Sequence, residues 1–338
     1  MPMAAKRFPF NECDAFIDKL QRRPKAVKIF AVGDSWLAAP GGWWDGESVV
    51  RRLNDDAWVQ GVSPGHPGFN VLSIAKVGCT IAQMADSEDW SALAYLDDQL
   101  PLIGKQTSFD AFIVSAGGND FIPEVRTFVN GGNGSASIDA ASLNRIFDAI
   151  GNNWVTLRSH LARWNVPILT NGYGPIIPTL RQGTTWLPVL GVGPWVGPYL
   201  LRDLKLSQTA AKALSDDVMQ RFNVLVSNLP GVEYFDLATT VAGFPASYWH
   251  DEIHFIDQGW EQVARVWLDA LNRALNMAMT VAPSVPMAGP VVFGGSAPAK
   301  GRAKKSALKK PTPKKATSKK ALPRRPAKQA TRKKSRKK

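Results

Sequence analysis

Residues 26–37 read AVKIFAVGDSWL. The first seven are apolar apart from one lysine, rich in β-branched side chains, and stopped abruptly by Gly33-Asp34-Ser35. A short run that is apolar on both faces and ends in a glycine turn reads as a buried strand of a parallel sheet, with a loop at its carboxyl end. The same signature recurs along the chain. Residues 71–77 (VLSIAKV) run into Gly78, residues 111–115 (AFIVS) into Gly117-Gly118, and residues 166–170 (VPILT) into Asn171-Gly172. Residues 232–237 (VEYFDL) form a fifth candidate. Helical periodicity fills the gaps, clearest over 142–164, 207–229 and 258–277. Strands alternating with helices define a doubly wound α/β domain with right-handed crossovers. In such domains ligands bind beyond the carboxyl ends of the strands, where Gly33, Gly78 and Gly117 all fall.

One connection is out of proportion. Residues 172–201 are rich in Gly and Pro and carry Trp186, Trp195 and Tyr199. A long irregular segment inside a domain usually has a function. This one is too apolar for a plain linker. Two readings stand: residues 173–200 cover the core, or they form an apolar wall or lid beside a site.

The chain of 338 residues is 45% apolar, enough to bury a large core. Two cysteines, Cys13 and Cys79, exclude a disulfide framework and a four-cysteine zinc module. No apolar run reaches the length of a membrane-spanning helix. The first 28 residues have scattered charges and no apolar signal core, so the cytoplasm is the expected location. The net charge of +13 is unevenly spread. Nineteen of the 41 Lys and Arg lie in residues 300–338, which contain no acid; the other 22 face 28 acidic residues. The expected organisation is therefore an acidic α/β body over 1–279, a Pro/Gly/Ala linker over 280–299, and a disordered polybasic tail over 300–338.

Three segments hold the chemistry. Gly33-Asp34-Ser35 follows the first strand, Gly117-Gly118-Asn119-Asp120 the third, and Asp251-Glu252-Ile253-His254 precedes the last helix. A serine hydroxyl becomes a nucleophile when a histidine takes its proton and a carboxylate holds that histidine. Of four histidines, His66 lies in a Pro-Gly loop and His160 in a long amphipathic helix, where solvation is the default. His250 and His254 remain, and only His254 has a carboxylate, Asp251, three residues before it. Asp257 is a competing orienter. Backbone N–H groups at Ser35 and Gly78 and the Asn119 amide are donors for a developing oxyanion; simple turn-forming roles for the glycines are equally open.

These blocks resemble the GDSL/SGNH hydrolase family over about residues 26–275: Ser35 in GDS, Gly78 in KVGCT, Asn119 in GGND, and Asp251 with His254 in DEIH, in the family's order. The resemblance implies a flavodoxin-like three-layer α/β/α fold with a parallel sheet of about five strands. It further implies Ser35 as nucleophile, His254 as base, Asp251 as its orienter, and Ser35, Gly78 and Asn119 as the oxyanion hole. The sequence departs from the family at Trp36, often Leu, and at Phe255, often Pro. Trp36 is expected to reshape the acyl pocket and, with the apolar loop, to favour a lipid-like or aliphatic acyl group.

Competing chemistries fit less well. The serine is not in the GxSxG elbow of the alpha/beta-hydrolases. His250 and His254 have zinc-helix spacing, but Asp251 stands where HExxH needs Glu, so no metal is expected. No GxGxxG follows a strand, and no cofactor is expected. The reading is an acyl-ester hydrolase tethered to a polyanion, a nucleic acid among the candidates, by residues 300–338. Its alternatives are a carbohydrate O-deacetylase of the same fold, or a nucleic-acid-binding protein using the fold as an idle scaffold.

Overall fold

The computed structural model describes residues 10–38, 48–86, 90–180 and 194–277. The expected linker and polybasic tail lie outside these residues. Seven strands follow in chain order: β1 (Val27–Gly33), β2 (Phe69–Ser73), β3 (Ala111–Ser115), β4 (Val129–Gly132), β5 (Ser135–Ile138), β6 (Ile168–Asn171) and β7 (Glu233–Phe235). Five form one sheet in the order β2-β1-β3-β6-β7, with every neighbouring pair parallel. Counting sheet strands alone, this is the 2-1-3-4-5 order of flavodoxin-like folds, as the family resemblance implies.

β3 is buried at all five positions and β1 at all but Lys28, because helices cover both faces. Phe30 and Phe112 are register partners that meet edge to face, and both lie against Phe109. The helix Ala140–Leu161 buries Leu143, Phe147, Ile150, Trp154, Leu157 and Leu161, a stripe at helical spacing. Its start is capped by Asp139, whose Oδ1 accepts from the N–H of Ala141 and Ser142. The helix Asp257–Ala274 covers β7 through Trp267, whose ring lies 4.6 Å from that of Phe235.

Two expectations need correction. The second strand is shorter and earlier than 71–77. Beyond Ser73 the chain still tracks β1, with the Ile74 N–H donating to Ala31 and the Lys76 N–H to Gly33, but then turns away. The ribbon β4–β5 is absent from the sequence reading. Its strands carry Gly, Asn and Ser rather than apolar alternation, yet Asn133-Gly134 at its tip is a hairpin turn with φ of 54° and 88°.

Register positions the site. Gly33 pairs with Ser115, so β1 and β3 end side by side at the point where the strand order reverses. A side chain at Gly33 would come within 2.9 Å of the Ser115 carbonyl oxygen, so only glycine lets the two ends approach.

Candidate active site

The turn after β1 is organised by Asp34. Its carbonyl oxygen accepts from the N–H of Leu37 and Ala38, and its Oδ1 accepts from the Trp36 N–H at 3.0 Å. This places Ser35 at the tip of a tight turn on the carboxyl edge of the sheet. Ser35 is itself buried, and its Oγ lies 2.8 Å from His254 Nε2, across 219 residues of chain.

His254 arrives on a self-closed loop. Trp249 and Phe255 bridge at its base, and the His250 N–H donates to the His254 carbonyl. Inside it Asp251 Oδ1 accepts from the N–H of Ile253 and His254, at 2.9 and 2.8 Å. That turn explains the three-residue spacing: it swings Asp251 Oδ2 to 2.8 Å from His254 Nδ1. His250 Nδ1 lies 3.3 Å from the same oxygen, so both histidines address one carboxylate. Burial pushes the Asp251 carboxyl up, but hydrogen bonds from His250, His254 and the Ile253 N–H together outweigh it. The carboxyl is held well below its usual range. A charged Asp251 beside an imidazole is suited to receiving a proton on that ring. Asp257, the competing orienter, instead opens the following helix.

Asn119 meets the loop that carries Gly78. Gly78 has φ of 76°, which glycine adopts without strain. Its loop is held next to β1 by the Lys76–Gly33 hydrogen bond. Asn119 Nδ2 donates to the Cys79 carbonyl at 3.1 Å, and Asp120 Oδ2 accepts from the Ile81 N–H at 2.9 Å. The Asn-Asp pair therefore clasps the Gly78 loop. Burial raises the Asp120 carboxyl to about 6.

The structure packs Trp36 into the core. It is 3% exposed and packs against Tyr173, Phe255 and Trp260, at 4.8, 5.3 and 6.3 Å between ring centres. Its bulk fills the core beneath the serine turn, among these three rings. The two departures from the family pattern, Trp36 and Phe255, thus pack on each other. His66 and His160 lie elsewhere: His66 accepts from the Gly68 N–H, and His160 stacks on Trp90.

Sequence reasoning missed two carboxylate anchors. Asp34 is fully buried and accepts hydrogen bonds from Tyr173 OH and Ser115 Oγ; burial raises it to about 6, although these bonds and the nearby His254 pull it down. Glu252, also fully buried, takes backbone N–H groups from the described ends of the 173–200 connection. The sequence marks neither partner, since hydrogen bonds between distant segments leave no periodic trace.

A parallel α/β sheet with serine, histidine and carboxylate joined at its switch point has the architecture of a hydrolase. The GDSL-like Lipase/Acylhydrolase family matches residues 29–267, and the chain belongs to that family of ester-hydrolysing enzymes. No curated protein sequence matches the chain. Among solved structures it is similar to a catalytic mutant of an acetylxylan esterase from Geobacillus stearothermophilus, at 14% identity over 72% of this chain and 94% of that one, with a TM-score of 0.41. It is also similar to an alpha/beta hydrolase enzyme from the metagenome of Lake Arreo, Spain, at 17% identity over 74% and 98%, with a TM-score of 0.41.

Proposed function

We propose that the enzyme hydrolyses carboxylic acyl esters through an acyl-enzyme on Ser35. The observation that carries this reading is the unbroken line from Ser35 Oγ through His254 to Asp251, with both links at 2.8 Å. Ser35 Oγ attacks the ester carbonyl carbon while its proton passes to His254 Nε2. The ring then carries a positive charge, which Asp251 balances through Nδ1. The tetrahedral oxyanion is received by the N–H of Ser35 and Gly78 and by the Asn119 amide. Collapse expels the alcohol, which takes the proton from Nε2. Water, deprotonated by the same nitrogen, attacks the acyl carbon and frees Ser35.

Residues 300–338 act in this reading as a tether to a polyanion, nucleic acid being one such partner. The support is their 19 cations without a single acid beside an acidic body. With no aromatic side chain to stack on bases, binding is sequence-independent and loses affinity with salt at a slope of about −0.9 per phosphate contacted.

The test is a p-nitrophenyl ester series on the wild type, Ser35→Ala and a form ending at Pro298. Ser35→Ala loses activity by several orders of magnitude. The shortened form keeps activity and loses salt-sensitive binding to DNA. Undiminished hydrolysis by Ser35→Ala rules out the nucleophile, and unchanged DNA binding by the shortened form rules out the tether.

A further inference from the structure

Glu252 stands between the loop residues Asp251 and Ile253, yet its side chain is fully buried and bonds to backbone of another segment. A carboxylate out of water needs full hydrogen-bond compensation. Here the compensation comes from one connection of the fold. Oε1 accepts from the N–H of Thr179 at 3.0 Å and Gly197 at 2.6 Å; Oε2 accepts from Trp195 at 2.5 Å and Val196 at 2.9 Å. Three consecutive N–H groups converging on an anion make a backbone nest. The Glu252 carbonyl takes a further N–H, from Ile177. Both described ends of the long connection, Thr179 on one side and residues 195–197 on the other, thus meet at one side chain.

One of those N–H groups belongs to Trp195. Its indole stands 5.6 Å from the His254 imidazole, at an interplanar angle of 69°. Trp195 is only half-buried, unlike the fully packed Trp36. The loop that supplies His254 therefore also supplies the carboxylate that sets an aromatic ring beside it.

We propose that Glu252 is a positioning residue that seats Trp195 against His254, where the indole forms a wall for the bound ester. This rests on the reading of His254 as the base. A wall contributes alike to bound substrate and transition state, so its loss raises KM and spares kcat.

The experiment measures kcat and KM for p-nitrophenyl butyrate on Trp195→Ala, Trp195→Phe, Glu252→Gln and the Glu252→Gln/Trp195→Ala pair, each also labelled with a serine-reactive phosphonate. Trp195→Ala is expected to raise KM about tenfold, Trp195→Phe to raise it less, and both to change kcat no more than about threefold. Glu252→Gln keeps the side chain's size, but its amide nitrogen cannot accept, so part of the nest is released. It reproduces the Trp195→Ala rise in KM, and the pair adds nothing beyond the larger single effect, as expected for two residues acting through one element. Wild-type KM in Glu252→Gln overturns the proposal, and so does a pair whose effects multiply. If Glu252→Gln fails to fold, the tryptophan variants decide: unchanged KM in Trp195→Ala overturns it. Phosphonate on Ser35 with unchanged KM values removes only this proposal, whereas an unlabelled Ser35 removes the nucleophile reading and the wall with it.

Discussion

Asp34 and Tyr173, 139 residues apart in the chain, are joined by a hydrogen bond directly beneath the Ser35 turn. Tyr173 OH also meets Ser115 Oγ at 2.9 Å, closing a buried triangle with Asp34. The residue beside Ser35 thus anchors the start of the same long connection whose later part Glu252 anchors beside Asp251. Tyr173→Phe keeps the packing and removes only the hydroxyl that Asp34 and Ser115 share. It is expected to lower stability by about 1–3 kcal/mol, the cost of a buried acceptor losing its partner, and to reduce ester hydrolysis by loosening the turn. Urea unfolding and steady-state rates measure both. Wild-type values in both would mean that the triangle gives Ser35 no support.

Asp251 holds His254 by one oxygen and closes its loop with the other. In Asp251→Asn the amide nitrogen faces either the imidazole or the loop N–H groups, and the ring loses its charged orienter. A fall in kcat of about 10³–10⁴ is expected, the scale seen when a triad carboxylate is neutralised. His250, at the longer 3.3 Å contact, is expected to matter far less. His250→Ala should keep kcat within about tenfold of wild type, because Asp251 Oδ2 keeps its shorter bond to His254 Nδ1. Equal losses in the two variants would shift the orienting role away from the His254–Asp251 link.

Asn119 has two duties in one amide: it clasps the Gly78 loop through Cys79 and is the side-chain donor of the proposed oxyanion hole. Asn119→Ala is expected to lower kcat by about 10²–10³ with little change in KM, since the oxyanion exists only in the transition state. Steady-state kinetics on a soluble ester decide this. A rise in KM at constant kcat would mark Asn119 as a ground-state contact instead.

The parts of this arrangement written in the sequence are those tied to strand ends. AFIVS became β3 without adjustment, and the runs before Gly33 and Asn171 moved by two residues at most, because a buried parallel strand must be apolar on both faces. Ser35, Asp251 and His254 were legible because few histidines compete and a carboxylate three residues away is a local signal. Tyr173, Ser115 and Glu252 were not. Each is a polar residue whose partner lies 55 or more residues away, and a lone tyrosine or glutamate looks the same whether solvated or caged. The packing of Trp36 was hidden for a related reason: its position beside Ser35 locates the backbone, while the ring meets Tyr173, Phe255 and Trp260.

The contact between Trp36 and Phe255 makes its own prediction. Both are 3% exposed and meet edge to face, joining the serine turn to the histidine loop. Replacing Trp36 by Leu leaves a void that its aromatic neighbours fill only in part, and a loss of about 2–4 kcal/mol is expected. Because the ring is 3% exposed and enclosed by other aromatics, the ratio of kcat/KM between a short and a long acyl ester should stay as in wild type. A changed chain-length ratio with unchanged stability would return Trp36 to the acyl pocket.

Stability should also carry the signature of the buried carboxyls. Burial raises Asp34 and Asp120 to about 6 in the folded protein, while the unfolded chain keeps them near 3.8. Between those values the folded state holds more protons than the unfolded one, so stability from these groups is complete below about pH 4 and falls as pH rises to about 6. Asp251 runs the other way. Its folded value is depressed, so its contribution is full above about pH 4 and is lost as pH drops further. Asp34→Asn removes one of the raised groups while Oδ1 can still accept from Trp36 and the amide can donate to Tyr173. Measured as urea midpoints, the wild type should therefore lose stability relative to Asp34→Asn on going from pH 4 to pH 7, by an amount on the order of 2 kcal/mol. Parallel curves for the two proteins across that interval would show that Asp34 ionises in the fold as easily as it does in water.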